Sequence, residues 1–339
     1  MKKMLAWILS LCLLLAVGCQ KGNAQPAAAP VATEAAVAAE PTAAPAAEAT
    51  PEPITVRIAA LKGPTGMGLA YLMAENQGAY QVDIYDAPDA ITGKLVSGEV
   101  DIAAVPINLA SALYNKTSGG VVMLAVNTLG VLYIIEDGDT VQSMADLAGK
   151  TLYATGQGST PEYVLNYLLE KNGLTDQVTV EYVGEHAALA AMLAGGEAKL
   201  GMLPEPNVSS VLLKNENARI ALDLNAEWNA AAGQQLMQGC YVASRAFYEA
   251  HPEAVAQYIS DCAASVEKVN TEADAGEVVA AQGILPAAAI AAKAIPNSNI
   301  VCITGAEMKA LSTGMLEVLY AANPASVGGK LPDDGLYAD

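Results

Sequence analysis

Lys62-Gly-Pro-Thr-Gly-Met-Gly68 gathers one cation, one hydroxyl and three glycines within seven residues. Glycines let a backbone come close to a ligand, and a helix starting just after such a loop offers first-turn amides that attract a negative or strongly dipolar group. Lys62 would neutralise an anion there, with Thr65, Gly66, Met67 and Gly68 shaping the cradle. The plainer alternative is a sharp turn with Met67 in the core and Lys62 in solvent. The Gly-x-x-Gly-x-Gly spacing matches neither the dinucleotide fingerprint nor a Walker loop, so no nucleotide is expected. A second glycine loop, Gly156-Gln-Gly-Ser-Thr-Pro161, presents Ser159 and Thr160, which serve equally as helix caps or as ligand contacts.

Each loop is followed by a matching phrase. Gly98-Glu-Val-Asp-Ile-Ala-Ala-Val-Pro106 leads to Asn108, and Gly196-Glu-Ala-Lys-Leu-Gly-Met-Leu-Pro204 leads to Asn207. Either asparagine alone reads first as a turn former and second as a ligand group, and their matched placement in both lobes strengthens the ligand reading for the pair. Glu205, lodged between two prolines, would hold a cationic amine or a pyrimidine edge, or is plain surface. Trp228 reads as a stacking wall or as packing near a hinge. Catalysis finds little support: the only histidines, His186 and His251, are far apart and read as surface or cap residues, and no metal-ligand spacing or nucleophile elbow occurs.

Positioning these groups requires strands that end at the loops. Residues 55–61 read as a strand, 62–68 as a tight loop and 69–73 as a helix start, and residues 150–169 repeat that order with Pro161 at the first helical position. Strands at 82–85, 100–105, 178–183, 200–203, 220–224 and 239–244 alternate with helices at 90–97, 108–114 and 186–194. Residues 121–135 hold one long strand or two around Gly130. Such alternation predicts α/β lobes, each a mainly parallel sheet flanked by helices. The expected first lobe is 54–135 plus 240–339 and the second 136–239, with crossovers near 135–141 and 223–239. Helices at 247–269, 287–294 and 306–320 would pack back onto the first lobe. Two matched cradles at strand ends suggest a cleft protein.

The N-terminus reads differently. Lys2 and Lys3 precede an apolar run, 4–17, broken only by Ser10 and ending at Gly18-Cys19. That is a secretory signal over 1–18, too short to span a bilayer comfortably. Its Ala-Val-Gly-Cys end looks like a lipoprotein signal, which would make Cys19 a lipidated first residue. Residues 23–53, almost all Ala, Pro, Glu, Thr and Val, are expected to be a disordered tether. With 36 acidic against 17 basic residues, the formal charge of −19 argues against nucleic acid or an anionic lipid surface as partner. Cys240, Cys262 and Cys302 allow one disulfide at most, and buried thiols are the expected state.

Together the loop 62–68, Gly98-Glu-Val-Asp-Ile-Ala with Pro106 and Asn108, Asp146-Leu-Ala-Gly-Lys-Thr-Leu152, Gly158-Ser-Thr-Pro-Glu162, Gly196-Glu and Pro204-Glu-Pro206 resemble one family. It is that of the substrate-binding lipoproteins of ABC importers in the nitrate, sulfonate/taurine and thiamine-precursor group. The resemblance implies a two-lobed periplasmic-binding-protein-like fold, type II, with two crossovers, closing on a ligand and docking on a membrane permease. It places the ligand loops at 62–68, at 106–109 with Asn108 and Leu109, at 128–130 with Thr128 and Gly130, at 158–162 and at 204–207. It further implies a monomer, lipid-anchored outside the cytoplasm, without cofactor or metal. The leading ligand class is a small organic anion such as a sulfonate, and the alternative a thiamine-precursor pyrimidine. A reading of another class is an enzyme of the related pyrimidine-synthase or menaquinone-lyase type.

Overall fold

The computed structural model describes residues 54–338. The leader, Cys19 and the segment 23–53 lie outside the described residues. β1 (Val56–Leu61) reads Val-Arg-Ile-Ala-Ala-Leu and is buried on both faces apart from Arg57. A strand apolar on both faces must be interior, and β1 lies between β2 (Tyr80–Tyr85) and β3 (Ile102–Pro106), parallel to both. Arg57 is held by Asp101, which accepts from its backbone N–H at 2.8 Å and from its guanidinium at 2.5 and 3.0 Å.

The first sheet is completed by β4 (Val121–Leu129), β10 (Met237–Ser244) and β11 (Ile300–Ile303), in the order β11-β4-β10-β3-β1-β2. The second contains β5 (Leu132–Asp137), β6 (Thr151–Ala154), β7 (Thr179–Tyr182), β8 (Leu200–Pro204) and β9 (Ala218–Asp223), in the order β7-β6-β8-β5-β9. Both sheets are mixed. Four of six strands in the first and four of five in the second run one way; β10 and β5, which arrive through crossovers, run against them, as does the edge strand β11.

Residues 121–135 form two strands, and they belong to different sheets. β5 pairs with β8 and β9, so the chain changes lobe at Gly130 and Val131, ahead of the boundary expected after residue 135. It returns between Asp223 and Met237 through the helix Leu224–Ala232. The two crossovers touch. A Cβ on Gly130 would lie 2.6 Å from Cβ of Asn225, and the Gly130 carbonyl accepts from Asn299 at 2.5 Å. The helix expected over 247–269 is broken at His251, because Pro252 starts a new helix, Pro252–Thr271, after Arg245–Ala250.

One apolar cluster covers a face of the first sheet through Ala59, Ala103 and Val105 and continues through Ile134, Leu152, Leu165 and Trp228 to Met308 and Leu316 of the helix Gly305–Ala322, and other clusters cover the opposite face of each sheet. Among the described residues no helix is long and apolar enough to cross a membrane. Cys240, Cys262 and Cys302 are free thiols; burial pushes the Cys302 thiol up to about 11 and raises the other two well above the ordinary thiol value.

Candidate functional site

Ligands of open α/β sheets gather outside the carboxyl ends of strands. A cavity of about 290 Å³ lies there, between the lobes. Its first-lobe wall comes from Lys62, Gly63, Pro64 and Thr65 after β1, Pro106 and Thr128 at the ends of β3 and β4, and Gln238 in β10. Its second-lobe wall comes from His186 after β7 and from Pro204, Glu205, Pro206 and Asn207 at the end of β8, with Val131 from the crossover. Three grooves enclose more space, about 640 Å³ beside the helices Thr160–Lys171 and Gly305–Ala322, about 570 Å³ beside Pro252–Thr271 and about 530 Å³ between Thr160–Lys171 and β7. None includes the first glycine loop or the loop 204–207, so volume alone does not locate the site.

Of the residues expected at the ligand, Lys62, Thr65, Thr128, Glu205 and Asn207 line this cavity. Lys62 is half-exposed at the rim and pairs with Asp86 at 2.6 Å. Gly63 adopts φ +93°, a left-handed conformation that only glycine holds easily, and this starts the short helix Pro64–Met67 that carries Thr65. The Thr128 hydroxyl donates to Asn127 at 2.9 Å, and the Asn127 amide donates to the Thr65 carbonyl at 3.3 Å. Asn207 opens the helix Asn207–Leu212.

Glu205 is only 2 % exposed. One carboxylate oxygen accepts from the Ser209 backbone N–H at 3.1 Å, and the other accepts from the Ser209 hydroxyl at 2.9 Å and the Asn297 amide at 3.1 Å. Burial raises its pKa above the ordinary carboxylate value, and these hydrogen bonds only partly oppose that. Surface placement, one of the sequence alternatives, is therefore wrong for Glu205.

Several expected contacts fall elsewhere. Met67 is fully buried in the core beneath the cradle. A Cβ at Gly66 would stand 2.3 Å from the Leu61 carbonyl oxygen, and one at Gly68 would stand 2.9 Å from the Tyr241 hydroxyl, so these glycines serve packing. Asn108 and Leu109 sit half-buried on the helix Ile107–Lys116, with Leu109 against the core. Gly130 is the crossover residue. Ser159 is exposed, its hydroxyl donating to Gly156 at 2.6 Å, while Thr160 is buried at the helix start. The second glycine loop is occupied by its own side chain, since Gly158 N–H donates to Glu162 at 2.5 Å. Trp228 is fully buried, its ring 4.6 Å from that of Tyr167, and lines no wall of the cavity.

Three cavity residues escaped the sequence reading: Val131, just past the expected loop 128–130, His186 and Gln238. His186, expected as a surface or cap residue, is half-buried at the first position of the helix His186–Gly195, with Nδ1 2.6 Å from the Thr155 hydroxyl; burial lowers its pKa and favours the neutral ring. Its position just after a predicted strand was the available signal. Gln238 stands in β10, ahead of the strand expected from 239, and its buried Nε2 has no hydrogen-bond partner. Among the described residues no group of three or more His, Cys, Asp or Glu could hold a metal ion.

The family model described as "ABC transporter, phosphonate, periplasmic substrate-binding protein" matches residues 67–287. No curated protein sequence matches the chain. Among solved structures, an ABC transporter from Parabacteroides distasonis superposes with a TM-score of 0.73 at 25% identity, covering 84% of this chain and 99% of that one. The periplasmic aliphatic sulphonate binding protein SsuA from Escherichia coli gives 0.64 at 18% identity over 82% of this chain and 92% of its own. The alkanesulfonate-binding protein SsuA from Xanthomonas axonopodis pv. citri, bound to MOPS, gives 0.58 at 19% over 85% and 100%. With a family match over most of its length and a two-lobed fold shared with these proteins, the chain belongs to the phosphonate-type periplasmic substrate-binding proteins of ABC transporters.

Proposed function

We propose that this chain captures a small organic anion of the sulfonate or phosphonate class between its lobes and delivers it to an ABC importer, without catalysing a reaction. The observation that carries the ligand class is the buried Gln238 amide nitrogen without a partner at the cavity wall. A buried donor left unpaired costs about 1–3 kcal/mol, so the wall favours a ligand rich in acceptor oxygens. The Thr65 and Thr128 hydroxyls and Lys62 at the rim add donors on the same side. The lipidated Cys19 would hold a monomer at the outer face of a membrane, with residues 23–53 as a tether reaching roughly 90 Å if extended.

A second ligand reading has its own support. Glu205 lines the cavity from the second lobe, where its buried carboxylate would accept from the ring edge of a pyrimidine. Thermal unfolding of the purified chain against alkylsulfonates, taurine, phosphonates, nitrate and pyrimidines separates the two. A ligand at a hundred times its Kd adds about 2.7 kcal/mol to stability. A shift with sulfonates or phosphonates that Gln238→Leu abolishes supports the anion reading. A shift with pyrimidines alone replaces it, and no shift with any compound from refolded, ligand-free protein refutes both.

A further inference from the structure

The turn Ile295–Asn297 leads into β11 and belongs to the first lobe, with Ile295 in the core beneath the first cradle. Asn297, at its end, reaches the second lobe by two routes. Its side-chain amide donates to Glu205 at 3.1 Å, and its backbone carbonyl accepts from the Tyr133 hydroxyl of β5 at 2.7 Å. The turn is braced from behind, because the Ser298 hydroxyl donates to the Ala294 carbonyl at 2.7 Å and Leu129 N–H donates to the Asn299 carbonyl at 3.0 Å. Asn297 does not line the cavity, whereas Glu205 does.

We propose that Asn297 is the clasp of the closed form, a positioning residue that bonds the lobes together through Glu205 and Tyr133 and so sets how readily the cleft closes on its ligand. The inference rests on reading the chain as a hinged binding protein. Closing the lobes takes the Glu205 carboxyl out of water, which is unfavourable unless its oxygens are satisfied. Ser209 follows Glu205 in the same lobe and supplies two hydrogen bonds whether the cleft is open or closed. The Asn297 bond alone crosses to Glu205 from the other lobe, so it acts only on the closed state and shifts the equilibrium by its full worth.

Spin labels read this directly in ligand-free, full-length chain carrying Cys12→Ser, Cys19→Ser and Cys302→Ser, which leaves only the buried Cys240 and Cys262. The label sites are Val96→Cys on the first lobe and Leu213→Cys on the second, at residues 56 % and 48 % exposed. Asn297→Asp sets a carboxylate against Glu205. It should widen the interlobe distance distribution and weaken binding of whichever sulfonate or phosphonate shifts the melt by about tenfold or more, the scale of a hydrogen bond to a charged group. Adding Glu205→Gln restores a donor facing a carboxylate and should bring the closed distance back, a rescue that a merely structural residue would not give. Asn297→Ala, which adds no charge, should open the lobes to a lesser degree and serves should Asn297→Asp fail to fold. An unchanged distance in both single variants, or a double variant as open as a folded Asn297→Asp, overturns the clasp. Distances that shift as expected while no anion binds leave the clasp standing and refute the ligand class instead.

Discussion

Replacing Trp228 with alanine distinguishes a core indole from a ligand wall. The ring lies on the helix Leu224–Ala232, which begins at Asp223, whose carboxylate accepts from Asn225 N–H at 2.8 Å. Leu224, one turn earlier on the same face, is likewise fully buried. A buried Trp covers roughly 150–250 Å², which at about 25 cal/mol per Å² amounts to about 4–6 kcal/mol. Large-to-small substitutions of this kind cost about 3–5 kcal/mol, a large share of a total stability of about 5–15. Urea unfolding followed by far-ultraviolet circular dichroism, with a slope near 3 kcal/mol/M, should place the midpoint about 1–1.7 M lower. Trp228→Phe should lose less, because it keeps the contact with Tyr167 and deletes an indole N–H that is buried without a partner. Ligand affinity per folded molecule should not change in either variant. An unchanged midpoint for Trp228→Ala together with lost binding would refute the argument from burial.

Gly68→Ala forces a methyl against the Tyr241 hydroxyl at 2.9 Å and Val266 at 3.1 Å, and should lower the melting temperature through overpacking of about 1–3 kcal/mol. Tyr241→Phe removes that hydroxyl, which is buried without a partner, and should rescue Gly68→Ala; a double-mutant cycle showing strict additivity would contradict this. His186 has a folded pKa below its ordinary value, so the unfolded chain binds the extra proton. Wild type should therefore lose stability as pH falls from about 6.5 towards the folded pKa, and His186→Asn should flatten that slope in pH-dependent denaturation. The thiols of Cys240 and Cys262 should resist alkylation at pH 8 until the protein is unfolded, and reductant should leave the melt unchanged; fast labelling of the folded protein would show that burial does not protect them.

The strand-loop-helix units and the two-lobed plan were legible because their signals are local: period, glycine loops and prolines at helix starts. The change of lobe at Gly130 was not. β4 is buried at every residue and β5 at all but its last, so no polar punctuation separates two strands that end in different sheets. The helix carrying Trp228 was hidden because Glu227 and Asn229 flank the ring and give the stretch a polar look, while only Leu224 and Trp228 face inward. Glu205 was legible as a residue of interest from its two prolines, but its partner Asn297 stands 92 residues away and only the tertiary fold joins them. His186 and Gln238 are placed at the cavity by that same long-range assembly. For the first glycine loop, spacing identified a close approach without revealing that Gly66 and Gly68 approach protein rather than ligand.

The meeting of the two crossovers at Gly130 also has a mechanical meaning. Where both connecting segments touch, neither could translate far, so in a hinged binding protein the lobes would turn about an axis through that contact. Thr128 and Val131, on either side of Gly130, line the cavity, so whatever is bound sits close to the axis and has a short lever arm. The outer rims of the lobes have a long one. A guest too bulky by a fraction of an ångström near the axis would hold the rims apart by several times as much. A transporter that engages the rims then needs no chemistry of its own to recognise the guest, because the rotation has already converted a small misfit into a large gap.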